Sequence, residues 1–323
     1  MAAIISAILV SRGPFEVVRN TVRSLATQKG ANELELVLVG TLGPVEFSPA
    51  DCNGFASIQT VQCTDGASVA SGNAAGVRAA TAPIVVLCED HCFPQPGWLE
   101  ALLEAHRKGM DVVGPAFENA NPGNTISWCD FVIGYGPFMH PGRGGLRDFL
   151  PGHNSSYRRA DLIALDEKLE EWLEAETVLH YEFSRQGKAL WFEPKARVSH
   201  LNFALFPAWM KVQFHGGRVF GASRVLNSTL VQRWIWVVGS PLIAPLRFSR
   251  IAVLLSRLPG GKMRLLRIAP MLGFGLAADA AGQFMGYAFG FANSLLRVAE
   301  LEANRVDYIL PQDRMSINGS IVR

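Results

Sequence analysis

Gly72-Asn73-Ala74-Ala75-Gly76-Val77-Arg78-Ala79-Ala80 is followed closely by Ile84-Val85-Val86-Leu87-Cys88-Glu89-Asp90-His91. Pro94-Gln95-Pro96-Gly97-Trp98-Leu99-Glu100-Ala101-Leu102 comes next. The first piece is small-residued and helical. The second is an unbroken apolar run ending in two acids and a histidine, the pattern of a strand buried on both faces. Pro96-Gly97-Trp98 opens a further helix that runs through Arg107. Helix, buried strand and helix in so short a span predict an α/β sheet with parallel strands at its centre.

Working outward, Ile4–Val10 reads as a buried strand closed by Ser11-Arg12-Gly13-Pro14. Phe15, Val18, Val22 and Leu25 recur at helical spacing until Lys29-Gly30. Leu34–Val39 and Ile58–Cys63 are further strands, and Asp111–Gly114 is a short one. Residues 115–150, rich in Gly, Pro and Asn, are expected to form a long loop. An acidic helical stretch follows at Leu165–Gln186, then a strand at Ala189–Phe192 and another ending at His200. In such sheets chemistry lies beyond the carboxyl ends of strands, which puts Ser11-Arg12 and Glu89-Asp90-His91 on one rim.

The 323 residues are 49% apolar and only 18% charged, with a mean hydropathy of +0.18, which excludes a disordered chain. The net charge of +2 hides a split. Residues 1–200 hold 16 Lys/Arg and 23 Asp/Glu, a net of −7, whereas residues 201–323 hold 14 and 5, a net of +9. No acid occurs from Leu201 to Ala278. Two domains are expected: an α/β domain over 1–205 and an apolar, basic helical region over 206–323. Within the latter, Arg233–Leu255 is broken by Pro241 and Pro245, and Ile268–Leu296 carries one charge, Asp279. Both suit helices lying in a membrane interface better than spanning ones, since a span needs about 20 strongly apolar residues. Peripheral attachment to the cytosolic face of an anionic membrane is the resulting expectation, with packing into a homo-oligomer as the alternative use of the same region. The aromatics there are not interleaved with Lys/Arg, which argues against nucleic acid.

Five cysteines (Cys52, Cys63, Cys88, Cys92, Cys129) and no recognisable leader at the start predict reduced thiols in the cytoplasm rather than a disulfide framework. Cys88 and Cys92 have the spacing of half a metal clip, without a second pair to complete a zinc site.

The order of the motifs resembles family 2 glycosyltransferases of the GT-A fold. The resemblance rests on the N-x-G helix, the strand ending in an acidic triplet and the P-x-P-x-W-L stretch quoted above. It continues in Gly152-His153-Asn154-Ser155-Ser156-Tyr157-Arg158-Arg159, in Glu174-Ala175-Glu176 with Arg185-Gln186-Gly187, and in Pro194-Lys195-Ala196-Arg197-Val198-Ser199-His200. It covers roughly residues 4–202. It implies a Rossmann-like, mixed and mostly parallel sheet flanked by helices. It also implies an inverting transfer from a nucleotide-sugar donor to an acceptor hydroxyl, which in such enzymes can be lipid-linked.

The resemblance assigns Glu176 as the base, with Glu174 beside it, and Gly152, His153 and Asn154 to the acceptor side. Donor contacts fall to Ser11, Arg12, Asn73, Arg78, Glu89 and Asp90. A divalent metal, Mn2+ or Mg2+, falls to Asp90, His91 and His200. The chain departs from the family pattern in two places: His91 stands where the triplet's last acid touches metal, and Val39-Gly40-Thr41-Leu42-Gly43 lacks a carboxylate after the second strand. Two imidazoles with carboxylate shift the expected metal toward Mn2+ or another transition ion. These departures keep open a second reading, a non-catalytic, membrane-associated protein of the same fold that binds sugar nucleotides. A glycoside hydrolase, which needs two opposed carboxylates, would leave the triplet and the basic region unexplained.

Overall fold

In a computed structural model the chain is described over residues 2–47, 53–64, 68–174, 176–226 and 228–314. In chain order the strands and helices are β1 (Ile5–Ser11), α1 (Phe15–Ala26), β2 (Leu34–Gly40), β3 (Ser57–Gln62), α2 (Val69–Ala79), β4 (Ile84–Cys88), β5 (Cys92–Pro94), α3 (Trp98–Arg107) and β6 (Val112–Asn119). There follow α4 (Thr125–Tyr135), β7 (Gly145–Leu146), β8 (Ser156–Arg158), α5 (Arg159–Ile163), α6 (Leu169–Leu173), α7 (Glu176–Arg185) and β9 (Leu190–His200). The remainder is helical: α8 (Phe206–Arg224), α9 (Leu230–Gly239), α10 (Ile243–Ser256), α11 (Gly261–Phe289) and α12 (Ser294–Ala303). The described residues divide into two compact units, one holding 2–118 and 138–200, the other 119–137 and 201–314.

The first unit is a mixed sheet in the order β3-β2-β1-β4-β8-β6-β9-β5, with β7 added against β9. β3, β2, β1 and β4 are parallel, and every residue of β1 and β2 is buried, including Glu35, whose carboxylate accepts from Ser6 Oγ, Gln59 Nε2 and Thr81. β8 then runs antiparallel to β4, and β5 antiparallel to the end of β9, with Cys92 opposite His200. α2 lies close on β1 because Gly72 and Gly76 leave room: a Cβ on Gly76 would come 2.4 Å from Ile8 Cγ2. The expected α/β class and the strands through β4 are present.

Two local expectations are corrected. Residues 115–150 are not a long loop, because β6 runs on to Asn119 and α4 follows, capped by Asn124 Oδ1 accepting from the N–H of Ile126 (2.6 Å) and of Ser127 (3.2 Å). The acidic stretch 165–186 is helical as expected, in a short 3-10 turn and the two helices α6 and α7. Leu190–His200 is a single strand through Pro194, tolerated because β7 pairs with it at 191–192 and β5 at 198–200, leaving Pro194 between the two ladders.

The second unit is built on α8 and α11, which approach at backbone distance. A Cβ on Gly282 would lie 2.0 Å from Phe214 O, and one on Gly217 would lie 2.3 Å from Asp279 O. The 29-residue α11 ends at Gly290 in a positive-φ turn, so the apolar stretch to Leu296 is divided between α11 and α12. Asp279 is buried within it, paired with Arg247 and accepting from Gln283 Nε2 at 2.8 Å.

Candidate active site

The carboxyl ends of β1, β2 and β4 form one rim of the first unit. Beyond β4 the chain turns through Glu89-Asp90-His91 and re-enters the sheet as β5. Thr21 of α1 holds that turn: its Oγ1 lies 2.9 Å from Asp90 O and 3.0 Å from Cys92 O. The β5–β9 register sets His200 beside Cys92, and the rings of His91 and His200 meet edge to face at 4.9 Å. The segment before β8 arrives at the same rim because Asn154 N–H donates to Leu87 O (2.6 Å). Asn154 does so at φ 60°, a conformation asparagine tolerates.

Glu89 is the hub. Its Oε1 lies 3.5 Å from His91 Nε2 and 3.7 Å from His153 Nε2. Its Oε2 accepts from Cys92 Sγ and Asn154 Nδ2, both at 3.1 Å, and lies 4.0 Å from His200 Nε2. Burial pushes the Glu89 carboxyl up, but the charges of His153, His91 and His200 and the Cys92 hydrogen bond outweigh it and hold it well below the usual carboxylate range. His153 also reaches Glu176, with Nδ1 3.4 Å from Oε1. Glu176 behaves oppositely: burial raises its pKa, His153 only partly offsets that, and the charges of Glu89 and Glu174 add to the rise. One half-exposed imidazole therefore stands between a carboxylate held ionised and a carboxyl group biased toward its proton.

The structure redistributes several expected roles. Asp90, expected as a metal ligand and donor contact, turns its Oδ1 to His91 Nδ1 at 2.6 Å and orients that ring, while Glu89 takes the place among the histidines. Gly152 makes room for Glu176, since a Cβ there would lie 2.5 Å from Glu176 Oε2. Asn154 secures Glu89, and His153 links Glu89 to Glu176, so the three expected acceptor-side residues support the carboxylates. Glu174 points elsewhere, accepting a short hydrogen bond from Ser68 Oγ. Arg78 sits in the last turn of α2, away from the rim, and donates to Asp166 O. Ser11 and Arg12 close β1 at the rim. Ser11 Oγ donates to Gly13 O at 2.8 Å, and Arg12 Nε is buried without a hydrogen bond, as is Asn73 Oδ1 on α2.

The Glu89–Cys92 bond is not visible in the spacing of residues three apart around a turn; the Cys88–Cys92 pattern was its only trace. Cys88 instead faces the sheet interior, its thiol pushed up by burial. Cys63, Cys88, Cys92 and Cys129 form no disulfide, and Cys52 and Ala175 lie outside the described residues.

The donor set suits a cation. The ligand atoms of Glu89, Cys92 and His200 lie within 4.8 Å of one another, and the buried His91 Nε2 beside them makes no hydrogen bond. Imidazole and thiol with one carboxylate fit a transition ion better than Mg2+, which demands a shell of oxygens.

Residues 6–165 match the family model described as Glycosyl transferase family 2. A comparison with curated proteins finds no match. Among solved structures, a crystal structure of GalNAc-T7 with UDP, GalNAc and Mn2+ is similar at 14% identity and a TM-score of 0.47, over 62% of this chain and 43% of that one. This chain thus matches less than half of that protein's length.

Proposed function

We infer, for a chain that carries a glycosyl transferase family 2 domain over residues 6–165, a metal-assisted, inverting transfer of a sugar from a nucleotide-diphosphate donor to an acceptor hydroxyl. The observation that carries this reading is a geometric one: Glu89 lies within 4.0 Å of the imidazoles of His91, His153 and His200, and Glu176 stands across His153 from it. A cluster of cation ligands beside a second, separate carboxylate is what metal-assisted transfer with a general base requires.

In this scheme Glu89, His91 and His200 would hold the cation, with Cys92 within reach and Asp90 fixing the His91 ring. When bound, the cation would offset the charge that grows on the departing diphosphate. Arg12, at the same rim with its Nε lacking a hydrogen bond, meets the donor's phosphates, and the Asn73 amide oxygen is an acceptor for a donor hydroxyl. Glu176 takes the proton of the acceptor hydroxyl as its oxygen bonds to the anomeric carbon and the bond to the diphosphate breaks on the opposite face, which inverts the centre. His153 holds Glu176 in place. Glu174, engaged by Ser68, has no part in the reaction.

Turnover across a panel of nucleotide sugars, with and without Mn2+, tests the reading, with the anomer of the product assigned by NMR. Release of nucleotide dependent on Mn2+, with inversion, is expected. Tight donor binding without turnover of any donor would instead establish the non-catalytic binding reading.

A further inference from the structure

The second unit carries a surface that glycosyl transfer does not use. Along α9 and α10 a ridge of residues four apart is exposed, Leu230, Trp234, Val238, Leu242 and Leu246, continuing to Arg250 and Arg257, and Val231, Ile235 and Val253 beside it are exposed too. Of the apolar 27-residue run Leu230–Ser256, only 17% of its most apolar window is buried. The charge beside this ridge is of one sign. Between residues 201 and 299 the only acid is Asp279, and it is buried and paired with Arg247. Arg250, Arg257, Lys262 and Arg267 are all exposed around the turn that joins α10 to α11.

By length and composition both Leu230–Ser256 and α11 could cross a bilayer. The packing of α11 argues against that. α8 lies against it at backbone distance from Gly217–Asp279 to Gly286–Arg218, and α8 carries Arg218 within that stretch and Lys211 and Arg224 on either side of it. A helix packed on one side against another that bears three cations is not surrounded by hydrocarbon, where each such group would be costly.

We propose that the α9–α10 ridge docks in plane on an anionic lipid bilayer. Trp234, Val238, Leu242 and Leu246 enter the headgroup–acyl boundary, and Arg250 and Arg257 rest on phosphates. Apolar residues on one exposed face, a Trp at one end and an excess of Arg/Lys without exposed acid are what an interfacial helix requires. The occupant is identified by charge complementarity: a neutral surface would leave the arginines without partners, and a second copy of this chain would oppose cation to cation. The inference rests on the second unit alone and stands or falls apart from the transfer reaction.

The test is co-sedimentation of the full chain with phosphatidylcholine vesicles and with vesicles containing phosphatidylglycerol, at low and high salt. Binding only to the anionic vesicles, reversed by salt, is expected, because exposed charges are screened within about 8–10 Å. Arg250→Ala with Arg257→Ala should weaken binding about 30-fold, at roughly one basic residue's contribution each. Trp234→Ser with Leu242→Ser should weaken it at least ~10-fold. Thermal melts of both variants matching the parent chain show that the losses are not unfolding. Equal, salt-indifferent binding to neutral vesicles would overturn the proposal in favour of an inserted helix. Absence of binding to either vesicle, or a dimer in solution that blocks it, would overturn it in favour of a protein partner on the ridge.

Discussion

Each unit buries carboxylates, and the contrast lies in what surrounds them. In the helical unit Asp130 faces Arg305 at 3.6 Å and accepts from Phe203 N–H and Gln213 Nε2, while Asp279 is met by Arg247 and Gln283. Arginine and an amide NH2 only donate; they neither surrender a proton at neutral pH nor bind a cation. In the α/β unit Glu89 and Glu176 face histidines, which can do both. Buried carboxylates are therefore held by arginine in one unit and set among imidazoles in the other, and partner chemistry makes the difference.

The largest expected effect tests that difference directly. Glu176→Gln keeps the side chain's size and should lower the transfer rate by roughly 10²–10⁴-fold, the usual cost of losing a general base. Glu174→Gln and Asp279→Asn, measured per folded molecule in the same assay, should change it by less than about 3-fold, since neither faces the reacting groups. Loss of activity in Glu174→Gln but not in Glu176→Gln would exchange the two assignments.

A second effect sets the units against each other through pH. In the α/β unit burial pushes the imidazoles of His106 and His180 down to about 4. Their folded values lie below the unfolded one, so their contribution is full above about pH 6.5 and is lost as pH falls toward 4, up to ~3 kcal/mol each. In the helical unit burial pushes Asp130 up to about 6, with Arg305 only partly offsetting it. Its folded value lies above the unfolded one, so the cost it imposes above pH 6 is relieved as pH falls toward 4. Hydrogen exchange read by mass spectrometry at pH 7 and 4.5, corrected for intrinsic rates, should show protection falling around β8 and α7 while α4 and α8 hold. A parallel loss in both units would remove the distinction.

The smallest effect concerns glycines. Gly282→Ala puts a methyl against backbone on both sides, 2.0 Å from Phe214 O and 2.8 Å from Arg218 N, and neither can give without moving α8. Gly76→Ala meets the Ile8 side chain at 2.4 Å, which can adjust. We expect about 3 kcal/mol for the first in urea unfolding and about 1 kcal/mol for the second. A reversed order would mean that α8 and α11 are less closely seated than α2 and β1.

Legibility followed the same division. β1, β2, β4 and α3 could be read directly, because a buried parallel strand is an apolar run and an amphipathic helix has a period. α4 could not: its residues are apolar nearly all round, and the Gly, Pro and Asn before it masked the Asn124 cap that starts it. Pro194 suggested a break that the two flanking ladders of β9 bridge. At the site, the order of motifs placed Glu89, His91, His153, Glu176 and His200 among the candidates, but it could not apportion them. That His153 stands between two carboxylates and that Gly152 is a space for Glu176 depend on residues tens of positions apart meeting at one rim. No spacing encodes those distances.

The most direct test of the central claim, that the histidine-surrounded carboxylate is the reactive one, is Mn2+ binding to the full chain, followed by electron paramagnetic resonance. One ion per chain is predicted. Glu89→Gln, His91→Ala and His200→Ala should each weaken it more than about 100-fold, a larger loss than the roughly 10–100-fold from removing an outer partner such as Asp90. Asp130→Asn and Asp279→Asn, whose carboxylates are taken up by arginine, should leave it unchanged. No Mn2+ binding, or binding that survives the loss of Glu89 and His200, would contradict the account.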